Sequence, residues 1–258
     1  MIGRLAGKKC VITGGAGGIG SGTGQLFCSE GADLVLLDLD GEALNKAASE
    51  ITVSNPQSKV WTLSANIADE EDAIRAMSEA ADIMGGIDIL VNNAGIRKFN
   101  HLVDATSESW QDIISVNLMG TANCAKAAMH YLRGSSSGAI VNVSSVYGEI
   151  GRKNMGQYDA TKAAINSITR TLAHEEAENG VRVNSVCPGG TLTPFHVARF
   201  AADGKDAAAI DALQADITLM RRWAKVKEIA YPILWLASDE ASFITGAILM
   251  ADGGKSSM

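Results

Sequence analysis

The stretch from position 9 to position 30 constrains this chain more than any other. An apolar, β-branched run, Cys10-Val11-Ile12-Thr13, passes straight into Gly14-Gly15-Ala16-Gly17-Gly18-Ile19-Gly20 and then into a helical pattern. Glycines permit a tight turn and close backbone approach. A helix that starts there points its unpaired N–H groups at one spot, where a pyrophosphate is favoured. Gly14, Gly18 and Gly20 are spaced GxxxGxG, not the GxGxxG usual in larger dehydrogenases. Alone, such a segment is most often only a turn; its place between a first strand and a first helix makes it a candidate cofactor cradle.

Beyond this turn, short β-rich runs alternate with longer helical patterns. Strands are expected at 9–13, 33–38, 60–65, 87–92, 139–144, 182–187 and 247–250, and helices at 20–30, 42–53, 70–84, 107–131, 157–178 and 225–238. Alternation of this kind implies βαβ units with right-handed crossovers. The expected class is therefore α/β: one Rossmann-type doubly wound domain over 1–258, with a seven-stranded parallel sheet and helices on both faces. No proline- or serine-rich linker divides the chain, and Gly134-Ser135-Ser136-Ser137-Gly138 reads as a helix-to-strand turn.

Composition excludes several alternatives. A formal charge of −7 carries no electrostatic footprint for nucleic acid or an anionic membrane. Cys10, Cys28, Cys124 and Cys187 show no CxxC spacing and read as buried thiols of a reducing compartment. The four histidines form no HxxH or HxxxH set, so no metal site is expected. The N-terminal residues lack the long apolar stretch of a signal peptide, and no run of eighteen apolar residues exists. A cytoplasmic location is expected.

Two features carry chemistry. The second strand ends at Asp38, about 20 residues beyond the glycines. A carboxylate there accepts hydrogen bonds from a ribose 2′-OH and repels a 2′-phosphate, while Ala16 and Leu39 offer no cation to hold one. The reading is NAD over NADP; the bland alternative is a solvated Asp in the turn Asp38-Leu39-Asp40-Gly41. Further on, Tyr158 and Lys162 stand four apart on a helical pattern, hence on one face. A free phenol titrates near ~10, and an adjacent cation favours phenolate. Lowering it by about 3 units takes roughly 4 kcal/mol of differential stabilisation. The pair reads as a tuned proton acceptor for an alcohol. Tyr131, Tyr147 and Tyr231 carry Ser135, Gly151 and Trp235 at the same offset, so only Tyr158 qualifies.

Taken together, these residues resemble the short-chain dehydrogenase/reductase family along the whole chain. Thr13-Gly14-Gly15-Ala16-Gly17-Gly18-Ile19-Gly20 fits its TGxxxGxG turn, and Asn92-Asn93-Ala94-Gly95 its NNAG segment. Asn117 matches its catalytic asparagine, Ser145 has its serine-to-tyrosine spacing, and Pro188-Gly189, Thr245-Gly246 and Asp252-Gly253-Gly254 resemble its later segments. The resemblance implies Tyr158 as general base or acid, Lys162 as its tuner and ribose contact, and Ser145 as donor to the substrate oxygen. Asn117, through a helix irregularity and a bound water, would connect Lys162 to solvent. Cofactor contacts are implied for Gly14, Gly18, Ile19, Gly20, Asp38, Asn66, Ile67, Asn93, Ala94, Gly95, Tyr158, Lys162, Pro188, Gly189, Thr191 and Thr193. A homotetramer is implied as well. Asn66 departs from the family's usual Asp but keeps a carbonyl acceptor for adenine; Thr191, Ala224 and Lys227 also depart.

The family's substrate windows hold Arg97, Lys98 and His101; Tyr147, Glu149, Arg152 and Lys153; and Phe195, His196 and Arg199. Of these, Arg97, Tyr147, Glu149, Arg152, His196 and Arg199, together with Ser145, are the candidate substrate contacts. This basic collection suits a small molecule carrying a carboxylate, a sulfonate or several hydroxyls, such as a sugar acid. Glu149-Ile150-Gly151-Arg152 and Arg222-Trp223 resemble the family's gluconate-type branch. Solvated or acid-paired arginines are the plainer reading. Residues 190–217 are expected to carry a substrate lid, with the alanine- and aspartate-rich 201–216 as its mobile part. Two rivals remain: a ketoreductase for hydrophobic cyclic or aromatic ketones, and a non-catalytic NAD-binding sensor.

Overall fold

The computed structural model describes residues 3–204, 206, 209, 210, 212, 213 and 217–258, apart from the side chain of Phe195. Strand β1 (Lys9–Thr13) leads through the glycine turn into α1 (Gly18–Ser29), then β2 (Asp33–Asp38), α2 (Gly41–Ser54), β3 (Val60–Ser64), α3 (Glu70–Met84) and β4 (Ile89–Asn92). Next come α4 (Ser107–Ile114), α5 (Gly120–Gly134), β5 (Ala139–Val143), α6 (Gly156–Glu176) and β6 (Arg182–Pro188). Strand β7 (Thr191–Leu192), α7 (Pro194–Ala202), β8 (Ala224–Lys225), α8 (Val226–Ala237) and β9 (Ile248–Ala251) complete the chain. The main sheet has seven strands in the order β3-β2-β1-β4-β5-β6-β9, every pair parallel. This is the doubly wound α/β fold expected from the alternation, with its strand ends displaced by a residue or two.

Strand side chains alternate between the two faces, so each strand feeds two cores. Cys10 and Ile12, with Leu34 and Leu36, join Phe27 of α1 and Ile233 and Leu234 of α8. Val11, Val35 and Leu37 join Met77 of α3 and Cys124 and Leu132 of α5 on the other side. All four cysteines are buried and free. The direction of winding changes between β1 and β4, and ligands of open α/β sheets bind beyond the strand ends at such a point.

Three features differ from the sequence expectation. The helix expected over 107–131 is split by a π-helical segment, Ser115–Met119, at the place where the family resemblance implied an irregularity around Asn117. A π-turn widens the helix by a residue and frequently marks a functional site. Strands β7 and β8 form a separate two-stranded parallel ribbon. Helix α7 occupies part of the expected lid, capped by Thr193 with Pro194 in its first turn; much of 201–216 lies outside the described residues. No described helix is long and apolar enough to cross a membrane.

Candidate active site

The glycine turn is held from behind by the loop after β4. Asn93 Nδ2 donates to the carbonyls of Thr13 (3.1 Å) and Gly14 (3.0 Å), and the Asn93 and Ala94 N–H groups donate to Thr13 Oγ1. Gly14 has φ of 65°, and a Cβ on it would lie 2.8 Å from Ala94 Cα, so no larger residue fits the close approach. A Cβ on Gly20 would collide with the Gly14 carbonyl oxygen. Helix α1 starts without a side-chain cap, which leaves first-turn N–H groups facing the cleft lined by Gly18 and Ile19. Asp38 closes this end: its carboxylate accepts from the N–H of Ala16 (3.1 Å) and of Leu39 (2.8 Å).

At the other end of the cleft, β5 runs out into Ser144 and Ser145. Successive residues face opposite ways, and the two hydroxyls separate accordingly. Ser144 Oγ donates to the Lys162 carbonyl at 2.8 Å, pinning α6 to the strand end. Ser145 Oγ accepts from Tyr147 N–H at 3.2 Å and lines the cavity together with Tyr158 and Lys162. Lys162 Nζ donates to the Val143 carbonyl at 2.8 Å and lies 5.5 Å from the centre of the Tyr158 ring. Both side chains are buried. Burial alone would push the Tyr158 phenol up, but Lys162, Arg97, a hydrogen bond from Ser145 and Arg152 together hold it below its ordinary value. Burial pushes the Lys162 ammonium down; Tyr158 pulls it back, and Arg97 reinforces the depression. A phenol shifted in this direction gives up its proton more readily than a free one, which suits it to take a proton from a group held by Ser145.

Asn117 sits in the π segment, fully buried and outside the cavity wall. Its Oδ1 accepts from Ile96 N–H (2.8 Å), and its Nδ2 donates to the Ile96 carbonyl (3.0 Å) and Thr161 Oγ1 (3.1 Å). Its amide thus clamps the loop after β4 onto α6.

One cavity of about 670 Å³ joins the two ends. It takes in Gly14, Gly18, Ile19, Asp38, Asn66, Ile67, Asn93, Ala94, Gly95, Pro188, Gly189, Thr191 and Thr193, all expected along a cofactor. Gly20 packs behind the turn instead. Asn66 Oδ1 accepts from Ala68 N–H at 3.2 Å in a local turn, which leaves its second lone pair for a further donor.

Among the candidate substrate residues, Arg97, Tyr147, Arg152 and His196 line the cavity beside Ser145. Glu149 and Arg199 do not. Glu149 accepts from Asn166 Nδ2 (3.0 Å) and lies 3.9 Å from Arg170, because its short 3-10 turn ends facing α6. Arg199 lies on the exposed side of α7 over the Phe99 ring, 4.6 Å from its centre. Lys98 pairs with Asp112, and His101 and Lys153 are exposed. Arg97 Nη1 meets His196 Nε2 at 2.9 Å, and His196 Nδ1 meets Thr193 Oγ1 at 3.0 Å. A guanidinium only donates, so Nε2 accepts and the ring proton sits on Nδ1. Burial, with Arg97 and Arg199, depresses His196 to about 4, in keeping with a neutral ring. The structure adds Phe99, Trp223 and Lys255, which sequence reasoning did not single out as substrate contacts. Lys255 directly follows the Asp252-Gly253-Gly254 motif, the one signal that pointed its way. Among the described residues no group of three or more His, Cys, Asp or Glu is arranged to hold a metal ion.

Similarity to known proteins runs along nearly the whole chain. A family model described as enoyl-(acyl carrier protein) reductase matches residues 14–256. The chain is 38% identical over 251 residues to 3-oxoacyl-[acyl-carrier-protein] reductase of Thermotoga maritima, covering 97% of this chain and 98% of that one. It is 37% identical over 253 residues to cis-4-hydroxycyclohexanecarboxylate dehydrogenase of Sinomonas cyclohexanicum, covering 97% of each. A crystal structure of levodione reductase superposes with a TM-score of 0.92 at 30% identity, covering 98% of this chain and 99% of that one. The chain belongs to the short-chain dehydrogenase/reductase family and is an oxidoreductase acting on CH–OH groups.

Asn117→Ala leaves the Ile96 N–H and C=O without their side-chain partners. Unfolding free energy is expected to fall by about 1–3 kcal/mol for each orphaned group. Urea denaturation reads this directly, and a variant as stable as the parent would contradict the clamp.

Proposed function

We propose that the protein is an NAD-dependent dehydrogenase that moves a hydride between NAD and a secondary alcohol, or a sugar or hemiacetal hydroxyl. The observation that carries this reading is that one cavity joins Ser145, Tyr158 and Lys162 to an uncapped helix N-terminus and the Asp38 carboxylate. The cleft suits a dinucleotide: glycines leave the turn without side chains, and the first N–H groups of α1 favour a pyrophosphate. Asp38 suits a ribose 2′-OH and opposes a 2′-phosphate. A bound nicotinamide supplies the hydride acceptor or donor.

The chain's own residues do the rest. Ser145 Oγ donates to the substrate oxygen and fixes it beside the Tyr158 hydroxyl. Tyr158 takes the alcohol proton during oxidation and returns it during reduction. Lys162, held by the Val143 carbonyl, favours ionisation of the phenol and would hold a nicotinamide ribose when the cofactor is bound. Asn117, with the π segment, fastens the loop and helix that flank this proton path toward solvent.

The substrate reading is a polyhydroxy or anionic small molecule such as a sugar acid, supported by Arg97, Arg152 and Lys255 around the cavity and by the name of the hydroxycyclohexanecarboxylate dehydrogenase relative. The name of the acyl-carrier-protein reductase relative favours a ketoreductase as second reading; Asp38 weighs against one that uses NADPH. An NAD sensor would bind without turnover. We also propose a homotetramer, supported by exposed apolar side chains such as Val103, Phe243 and Tyr231, and a cytoplasmic location, supported by four free thiols.

Ultraviolet absorbance of NADH during incubation with a panel of secondary alcohols and sugar acids tests the activity; binding of NAD without turnover of any of them sinks it. Asp38→Ala is expected to shrink the preference for NAD over NADP, and unchanged selectivity would count against the role of Asp38. Oxidation requires phenolate, so kcat/KM should rise with pH and level off once Tyr158 ionises, below the ordinary tyrosine value of about 10. Arg97→Met removes a cation that favours phenolate, so the rising limb should shift to higher pH. A limb that stays put or moves to lower pH refutes this electrostatic account.

A further inference from the structure

The substrate end of the cavity holds more positive charge than the fold needs. Arg97, Arg152, Lys162 and Lys255 all line it, and among the described residues the one lining acid, Asp38, belongs to the glycine-turn end. Arg152 lies flat over the Tyr147 ring, 3.5 Å from its centre, and 5.2 Å from the centre of the Tyr158 ring. Lys255 Nζ reaches the same tyrosine from the C-terminal tail, donating to Tyr147 Oη at 2.6 Å. Two cations thus converge on one ring.

Neither is fully matched by protein anions. Asp159 Oδ1 accepts from Arg152 Nε at 3.2 Å, and both side chains are mostly buried. That pairing uses Nε, and among the described residues neither Nη of Arg152 has a hydrogen-bond partner. Lys255 has no carboxylate partner among the described residues. Glu149, the acid nearest to Arg152 in sequence, is directed to Asn166 and Arg170. Both cations are nevertheless positioned. Arg152 is fixed by Asp159. The tail bearing Lys255 is fixed by Asp252, whose carboxylate accepts from Gly254 N–H (3.0 Å) and Ser256 N–H (2.7 Å).

We infer that Arg152 and Lys255, assembled on Tyr147, form a receptor for an oxyanion group of the substrate, a carboxylate or sulfonate, held at a set distance from the hydroxyl presented to Tyr158. This rests on the proposed dehydrogenase activity and names the substrate class for its site. The free Nη pair of Arg152 matches a two-oxygen anion, and the Lys255 ammonium adds a point charge with donors to spare. Lys255 is then a specificity-determining residue supplied by the last turn of the chain.

The test is isothermal titration of the protein, at saturating NAD, with cyclohexanecarboxylate, cyclohexanesulfonate and the uncharged cyclohexanecarboxamide. The anions should bind and the amide should bind markedly more weakly. In Lys255→Met and in Arg152→Met the ratio of carboxylate to carboxamide affinity should fall by about tenfold, the loss expected for one charge-assisted contact. A merely structural role would weaken all three ligands together and leave that ratio unmoved. Equal binding of amide and anions, or an unmoved ratio in both variants, overturns the inference. The two proposals fail separately. NADH formation from neutral alcohols with no anion preference removes the receptor but keeps the dehydrogenase. Anion-selective binding with no turnover of any alcohol removes the dehydrogenase but keeps the receptor.

Discussion

A phenol and an ammonium taken out of water one helical turn apart are the constraint around which this molecule is arranged. Burial favours the neutral form of each, raising a tyrosine and lowering a lysine. Here both end below their ordinary values. For the ammonium, burial is the largest cause, opposed by Tyr158 and reinforced by Arg97. For the phenol, burial is overcome first by Lys162 and then by Arg97, a Ser145 hydrogen bond and Arg152. Cations at that rim favour phenolate and disfavour a second cation. The basic residues that would recognise a substrate therefore also tune the base that would react with it.

Holding such charges requires a rigid frame, and the end of β5 with α6 supplies it through successive residues. Asn142 Nδ2 donates to Thr169 Oγ1 at 2.9 Å, and its Oδ1 accepts from Asn92 Nδ2 at 3.0 Å. Val143 accepts from Lys162, and Ser144 donates to the Lys162 carbonyl. Strand and helix are thus laced by buried polar bonds at successive positions. Each buried group so paired avoids a desolvation cost of about 1–3 kcal/mol, which makes a slipped register expensive.

Much of this was legible in the sequence, because it depends on local period and spacing. The unbroken apolar runs of β1 and β2 suit a sheet covered on both faces, and the four-residue offset puts Tyr158 and Lys162 on one side of α6. What was hidden depends on contacts between distant segments. The family resemblance implied an irregularity at Asn117 but not its fastening, in which the Asn117 amide reaches the Ile96 backbone, 21 residues away. Strands β7 and β8 are two residues each, too short for any periodic signal. Glu149 stood in the right window, but its turn carries it toward α6. Lys255 and Tyr147 lie 108 positions apart, so no spacing rule could join them.

The pair Ser144 and Ser145 shows how closely fold and chemistry are bound together. Identical side chains, one residue apart, do opposite work because a strand sends neighbours to opposite sides. Ser144, turned inward, spends its hydroxyl on the Lys162 carbonyl and sets where α6 begins its run along the sheet. Ser145, turned outward, faces the cavity that this placement creates. Moving the strand by one residue would bring a valine into one of these places: shifted one way, Val143 would stand where Ser144 anchors the helix at Lys162, and shifted the other, Val146 would stand where Ser145 faces the cavity. The depressed Tyr158 is therefore a property of strand register as much as of its charged neighbours.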